Sequence, residues 1–235
     1  QLSATLEITP DVAVQWYDNL GKVIYWNTAS EQLYGWSADE AMGKTLDRLI
    51  FTRDDAARCS SVFDEVLATG KPDGPTEYAT RTRSDELRWV ESTAFLIPGT
   101  DSAQKILVCM DVDVTERKLA EQKLAEFNRD FEGFLNQTTD FVYFKDADSR
   151  FRFCSQTLAD ITGHASWRDL IGKHDRDVFP PETARIYEEE EYAVFTEGRP
   201  LLDKVDPYFD KNGKTGYVET SKWPLFDENR NVVGI

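Results

Sequence analysis

The chain has 235 residues, with 27 Lys and Arg against 43 Asp and Glu, for a formal net charge of −16. A surface that holds nucleic acid or an anionic membrane needs clustered cations, and the densest charge run here, Glu188 to Glu191, has the opposite sign. With 40% apolar residues and abundant Phe, Tyr and Trp, the chain can bury a core, and its length suits two domains of roughly 110 residues. The longest unbroken apolar run, Ile106 to Met110, is far below the ~18 residues of a membrane span. Cys59, Cys109 and Cys154 form an odd set without a CxxC pair, which points to a reducing, cytoplasmic setting.

In chain order the first half predicts strands at Val12 to Tyr17 and Val23 to Trp26, then short helical pieces. A longer helix follows from Asp54 to Ala68, ended by Gly70 with a proline two residues on. Three strands come next, Thr76 to Thr82, Arg88 to Leu96 and Lys105 to Val112. The same order returns 128 residues later. Asp18 to Asn27 aligns with Asp146 to Ser155, Leu33 and Gly35 with Ile161 and Gly163, and Arg88 to Ser92 with Gly216 to Thr220. The second long helix is expected from Glu182 to Thr196, and an Asn-Gly hairpin turn at Lys211 to Lys214. Strands at both ends with helices between them predict an α+β class: two five-stranded antiparallel sheets, each with helices on one face.

Between the copies, Asp113 to Thr138 is rich in Glu, Lys and Arg. Its apolar residues Ala120, Leu124, Phe127, Phe131 and Phe134 are spaced 4, 3, 4 and 3. That is a heptad stripe, suited to a homodimer seam in a coiled coil or to packing on the helix's own domain. The expected division is 1–115, a helical connector over 116–138, and 139–235.

The Asp18-x-x-Gly-x-Val-Ile-Tyr-x-Asn strand pair, the stretch Leu33-Tyr-Gly-Trp-Ser-x-x-Glu-Ala-x-Gly-Lys44 and the exit Asp113-Val-Thr-Glu-Arg-Lys118 resemble PAS domains. The second copy resembles the same family through Asp140 to Asp146, Gly172 to Pro180 and Ser221 to Asp227. The resemblance implies a bacterial sensory protein with a histidine kinase or a GGDEF/EAL cyclic di-GMP enzyme as output, although neither output motif is present. The second copy reaches Val232-Val-Gly-Ile235 where its last strand should start, so the natural chain is expected to continue.

With the aspartate after the first strand at the sheet rim, as the resemblance implies, alternation turns one set of side chains toward the helices. In the first copy these are Gln15, Tyr17, Val23, Tyr25, Val90, Ser92, Ala94, Leu107, Cys109 and Asp111. Polar Gln15, Ser92 and Asp111 among small and apolar neighbours suit a ligand pocket, or else bond to one another and to backbone. In the second copy the set is Phe141, Tyr143, Lys145, Phe151, Phe153, Val218, Thr220 and Lys222, where aromatics leave less volume. Lys145 and Lys222 need counter-charges there, for which Asp175 and Asp177 are candidates, in a structural salt bridge or around an anionic metabolite.

Haem is disfavoured, because the first copy has no His and His174 precedes the second long helix. Gly43-Lys-Thr-Leu46 and Gly172-Lys-His-Asp175 lack the cysteine of light-sensing flavin domains, which leaves non-covalent flavin open in the first copy. No nucleophile, base and orienter share a motif, and the fragments at Asp148 and Asp210 to Gly213 lack a full calcium loop. Glu188 to Glu191 is read as an exposed helix face. The expectation is a non-catalytic module that binds a small molecule or cofactor and relays through the connector, without membrane insertion; the alternative is a ligand-free scaffold for dimerisation.

Overall fold

A computed structural model describes residues 11–51, 53–99, 105–209 and 214–235. The expected hairpin turn at Lys211 to Lys214 and the calcium-like fragment at Asp210 to Gly213 lie largely outside the described residues. The chain divides into two compact units, residues 1–124 and 125–235. No helix among the described residues is long and apolar enough to cross a membrane.

Unit 1 contains β1 (Val12–Tyr17), β2 (Val23–Trp26), α1 (Thr28–Tyr34), α2 (Ala38–Ala41), α3 (Arg53–Thr69), β3 (Asp73–Arg81), β4 (Leu87–Pro98) and β5 (Lys105–Asp113). The strands form one antiparallel sheet in the order β2-β1-β5-β4-β3, so the last strand is the central one. Each short helix starts on a residue that satisfies its free amides: Asn27 accepts from Ser30 N–H, and Ser37 with Glu40 forms a capping box. Tyr17, Val23, Val90, Ala94, Leu107 and Cys109 pack with Tyr34, Leu46, Ile50 and Val66 in the core.

Tyr25 departs from the expected inward set. Trp16 pairs with Tyr25 but Tyr17 pairs with Val23, so Ile24 is an extra residue in a bulge. The bulge cancels one step of alternation, and the Tyr25 ring lies tilted against Trp16, at 4.8 Å between ring centroids, on the face opposite Tyr17.

The helix α4 (Thr115–Gln137) is rooted on unit 1 by the motif that ends β5. Asp113 accepts from Thr115 N–H at 2.8 Å, and Thr115 Oγ1 accepts from Trp89 N–H at 2.9 Å. Arg117 reaches Glu77 at 3.0 Å and Lys118 pairs with the same carboxylate, holding it below its ordinary pKa.

Unit 2 contains β6 (Tyr143–Lys145), β7 (Phe151–Cys154), α5 (Gln156–Ile161), α6 (Asp175–Val178), α7 (Pro181–Glu197), β8 (Leu201–Phe209), β9 (Thr215–Lys222), β10 (Leu225–Phe226) and β11 (Val232–Gly234). Its strands form three antiparallel pairs, β6-β7, β8-β9 and β10-β11, where unit 1 has one sheet of five. Leu135 from α4 is fully buried here among Phe151, Leu158, Trp167 and Leu170. Phe131 lies edge-on to Phe153 at 5.3 Å, so one seam residue of the connector packs on its own unit. Leu124, Phe127 and Phe134 remain 61%, 64% and 51% exposed.

Candidate functional site

The interior of unit 1 is a hydrogen-bonded plug. Asp111 sits on the central strand, is 4% exposed, and accepts from Tyr34 Oη at 2.6 Å, with the Ser92 and Gln15 side chains close enough to lower its pKa. Gln15 donates to Ser30 Oγ at 3.0 Å and Ser30 bonds Asn27 Oδ1 at 2.8 Å, which ties β1 to α1, as Tyr34 ties α1 to β5. Burial raises the Asp111 carboxyl above its usual range against the lowering effect of its donors, and burial with the adjoining Asp111 pushes the Tyr34 hydroxyl well up. Thus Gln15, Tyr17, Val90, Ser92, Cys109 and Asp111 do converge, but around about 10 Å³ of free space, enough for one water at most. Ala94 is buried beside them and Tyr25 faces away. An isoalloxazine ring does not fit such a space, so these residues do not accommodate a flavin.

Unit 2 has more free space, part of which is the position between β6 and β9 that β5 occupies between β1 and β4 in unit 1. A cavity of about 350 Å³ is lined by Phe141, Tyr143, Lys145 and Phe151 from the first strand pair, by Leu158, Ile161, Asp175, Phe179, Tyr187 and Glu191 from the helices, and by Tyr208 and Val218 to Trp223. Aromatics reduce the volume less than expected because β6 and β9 stand apart. Six consecutive residues of one segment, 218 to 223, touch the cavity, although alternate side chains of a strand point to opposite faces. The wall there is therefore the edge of β9 itself. In unit 1 the corresponding gap, between β1 and β4, holds β5.

Two lysines are buried in this cavity, Lys145 at 1% and Lys222 at 3% exposure. Lys145 Nζ pairs with Asp175 Oδ2 and with Glu191 Oε1 at 2.6 Å, over the rings of Tyr143 and Phe151. Lys222 Nζ lies 3.1 Å from Glu190 Oε2 and 3.5 Å from Glu191 Oε1, over the ring of Tyr187. Ser149 donates to the other Glu191 oxygen at 2.8 Å, and Lys204 joins Glu190 to Asp206. Burial raises the Asp175 carboxyl above the ordinary aspartate value, with Lys145 acting against it.

Asp175 is thus a partner of Lys145, as the sequence suggested. Asp177 is not a partner of Lys222, because it caps α6 by accepting from His174 N–H at 2.9 Å. Sequence reasoning missed Glu190 and Glu191, having placed the whole acidic run outside. The helical period carries the signal: Ala184, Tyr187, Glu191 and Val194 are spaced 3, 4 and 3, which puts Glu191 on the apolar face. Tyr34, the key donor to Asp111, stands in the sequence only as a member of the Leu33 to Lys44 stretch, with no signal of its own for an inward hydroxyl. Among the described residues no cluster of His, Cys, Asp or Glu could hold a metal ion.

No match is found among curated protein sequences. Solved structures similar to this chain include the PAS domain of a protein from Colwellia psychrerythraea, 22% identical, covering 49% of this chain and 96% of that chain, with a TM-score of 0.44. The PAS domain of nitrogen regulation protein NR(II) from Vibrio parahaemolyticus is 18% identical over 48% of this chain and 96% of that one, with a TM-score of 0.39. The PAS domain of the quorum-sensing receptor RpfR from Cronobacter turicensis, in complex with C12:0, is 18% identical over 45% and 95%, with a TM-score of 0.38. The family described as PAS fold matches residues 6–119 and again 135–235, and the chain belongs to that family as two PAS domains in tandem.

Proposed function

We propose that this chain is a sensory relay in which unit 2 receives a small molecule and unit 1 is a filled scaffold that roots the connector. The supporting observation is that Lys145, Lys222, Asp175 and Glu191 are buried in unit 2 facing one interior space beside Phe141, Phe151 and Phe179, whereas the polar groups of unit 1 close on one another. A site of a few hundred cubic ångströms with apolar walls and a few buried polar groups suits a small ligand. Occupancy would bias the connector α4, whose last two turns contribute Leu135 to the unit 2 core, and so bias whatever output the protein drives. The exposed Leu124, Phe127 and Phe134 would then form the seam of a homodimer, and three buried free thiols suit a cytoplasmic protein.

The test is thermal unfolding of the whole chain against a panel of metabolites, read at unit 2. At least one compound should raise the unit 2 midpoint, and Thr220→Trp, which puts an indole into the cavity, should abolish the response while leaving the fold intact. A panel that moves nothing, or a response that survives Thr220→Trp, defeats the reading.

The scaffold reading of unit 1 rests on the Asp111 plug, which uses the polar groups a ligand would need. Its consequence is that the same panel leaves the unit 1 midpoint where it was.

A further inference from the structure

The ion pairs in the interior of unit 2 join into one chain of alternating charge. Asp175 on α6 pairs with Lys145 on β6, Lys145 with Glu191 on α7 at 2.6 Å, and Glu191 with Lys222 on β9 at 3.5 Å. Lys222 continues to Glu190 at 3.1 Å, Glu190 to Lys204 on β8, and Lys204 to Asp206 at 3.2 Å. A carboxylate stands at each end, so four carboxylates face three ammonium groups. Every side chain of the chain is at most 8% exposed except Lys204, at 38%. We propose that this ion chain holds one extra proton at its Asp175 end, and that unit 2 is a pH-responsive element whose helix α7 loosens from the strands as that proton leaves to solvent.

The inner carboxylates, Glu190 and Glu191, each have two ammonium neighbours, whereas Asp175 and Asp206 have one each. At the Asp206 end water reaches Lys204 and screens the excess charge. At the other end Asp175 and Lys145 are both buried, where an uncompensated negative charge costs most. Burial raises the Asp175 carboxyl and the Glu191 charge acts with it, against Lys145 and Lys222. The other titratable groups nearby are the phenols of Tyr143 and Tyr187, both held above the ordinary tyrosine value by burial and by these carboxylates, and on the helix itself His174, Arg176 and Asp177. Glu190 and Glu191 lie on α7 and their lysines on β6, β8 and β9, so the chain clips that helix to three strands. Loss of the proton leaves two carboxylates repelling one another across Lys145. Because the folded value is the raised one, the favourable contribution is complete below the unfolded aspartate value of about 3.9 and is lost as pH rises through the folded value.

The test follows the side-chain carboxyl carbon of Asp175 by carbon-13 resonance in the whole chain against pH. Its step should come above about 3.9. Glu191→Gln leaves three carboxylates facing three ammonium groups and removes the nearest like charge, so the step should move to lower pH. Lys222→Met removes an ammonium and should move it to higher pH. Hydrogen-exchange protection of α7 should fall across the wild-type step and stay level in Asp175→Asn. If the variants fail to fold, the wild-type titration and exchange decide together. A step at or below about 3.9, no step while the fold persists, or α7 protection that ignores the step overturns the proposal. None of these results touches the small-molecule reading, which the metabolite panel tests by itself.

Discussion

Lys145 and Ile235 hydrogen-bond to each other in both directions, Lys145 N–H to Ile235 O at 2.9 Å and Ile235 N–H to Lys145 O at 3.1 Å. The pair stands 128 residues on from Tyr17 and Leu107, which face each other across β1 and β5. Ile235 therefore enters the gap between β6 and β9 in the register that β5 keeps in unit 1. Gly234 permits the approach, since a Cβ there would lie 2.2 Å from Lys145 O.

If this register defines a strand slot, copying Val108 to Asp113 onto the chain after Ile235 should place a strand between the two open edges. Amides of Tyr143 to Lys145 and Val218 to Lys222 should then exchange more slowly and the unit 2 midpoint should rise. Gly234→Ala in the same background should reverse both effects, because the added methyl meets a backbone oxygen. Unchanged exchange at β9 with a raised midpoint would mean that the added segment stabilises the unit from elsewhere.

The ion cluster makes a second prediction. Lys222→Met leaves Glu190 and Glu191 buried with one ammonium fewer, and should destabilise unit 2 by about 3–5 kcal/mol. Adding Glu190→Gln should restore part of that loss, and adding Asp177→Asn should restore none, since Asp177 caps α6. Denaturant unfolding of the single and double variants gives the coupling directly. Recovery with Asp177→Asn would mean that Lys222 finds its partner on α6.

Much of this was legible in the sequence, for identifiable reasons. The 128-residue repeat, the long strands and the helix ending at Gly70 follow local signals, and helix α3 and strand β5 lie within a residue or two of their expected bounds. What failed depended on partners distant in sequence. Alternation put Tyr25 inward, but the bulge at Ile24 is fixed by how β1 and β2 pair. Volume was misjudged because Ser92 and Ala94 are small, yet the Tyr34 ring from a helix 58 residues earlier in the chain fills the space beside Asp111. A charge run looks solvated until the period of its helix is set against the buried lysines it must face.

A third prediction concerns pH. Burial holds the Asp111 carboxyl above its unfolded value, so the folded state keeps a proton that the unfolded chain gives up. Its favourable contribution is complete below the unfolded aspartate value of about 3.9 and is lost as pH rises through the folded value. Asp111→Asn keeps an acceptor for Tyr34 and has nothing to ionise. The stability of wild-type unit 1 relative to this variant should therefore fall as pH rises through that window. The difference between the two proteins removes the opposing slopes of Glu40 and Glu77, whose carboxyls are held low. A difference that stays flat with pH would mean that Asp111 ionises alike in both states.

The last prediction separates the two roles of helix α4. Phe131 lies against Phe144 and Phe153 and Leu135 is wholly buried, so this face belongs to unit 2. Leu124 and Phe127 sit on the same heptad stripe but are more than half exposed. Burying each across a two-fold axis would contribute about 1.5–3 kcal/mol, whereas a glutamate there would face its own copy unpaired. Leu124→Glu and Phe127→Glu should each convert dimer to monomer at micromolar concentration with both units folded. Phe131→Glu should instead lower the unit 2 midpoint, because the charge enters a cluster of aromatic edges. Glu121→Ala, on the surface beside Arg117, should leave the association state unchanged. Sedimentation and thermal unfolding of the four variants read the two effects separately. A wild-type monomer, or loss of folding with Leu124→Glu, would assign the whole stripe to contacts within one chain, and relay would then have to run through α4 of a single molecule.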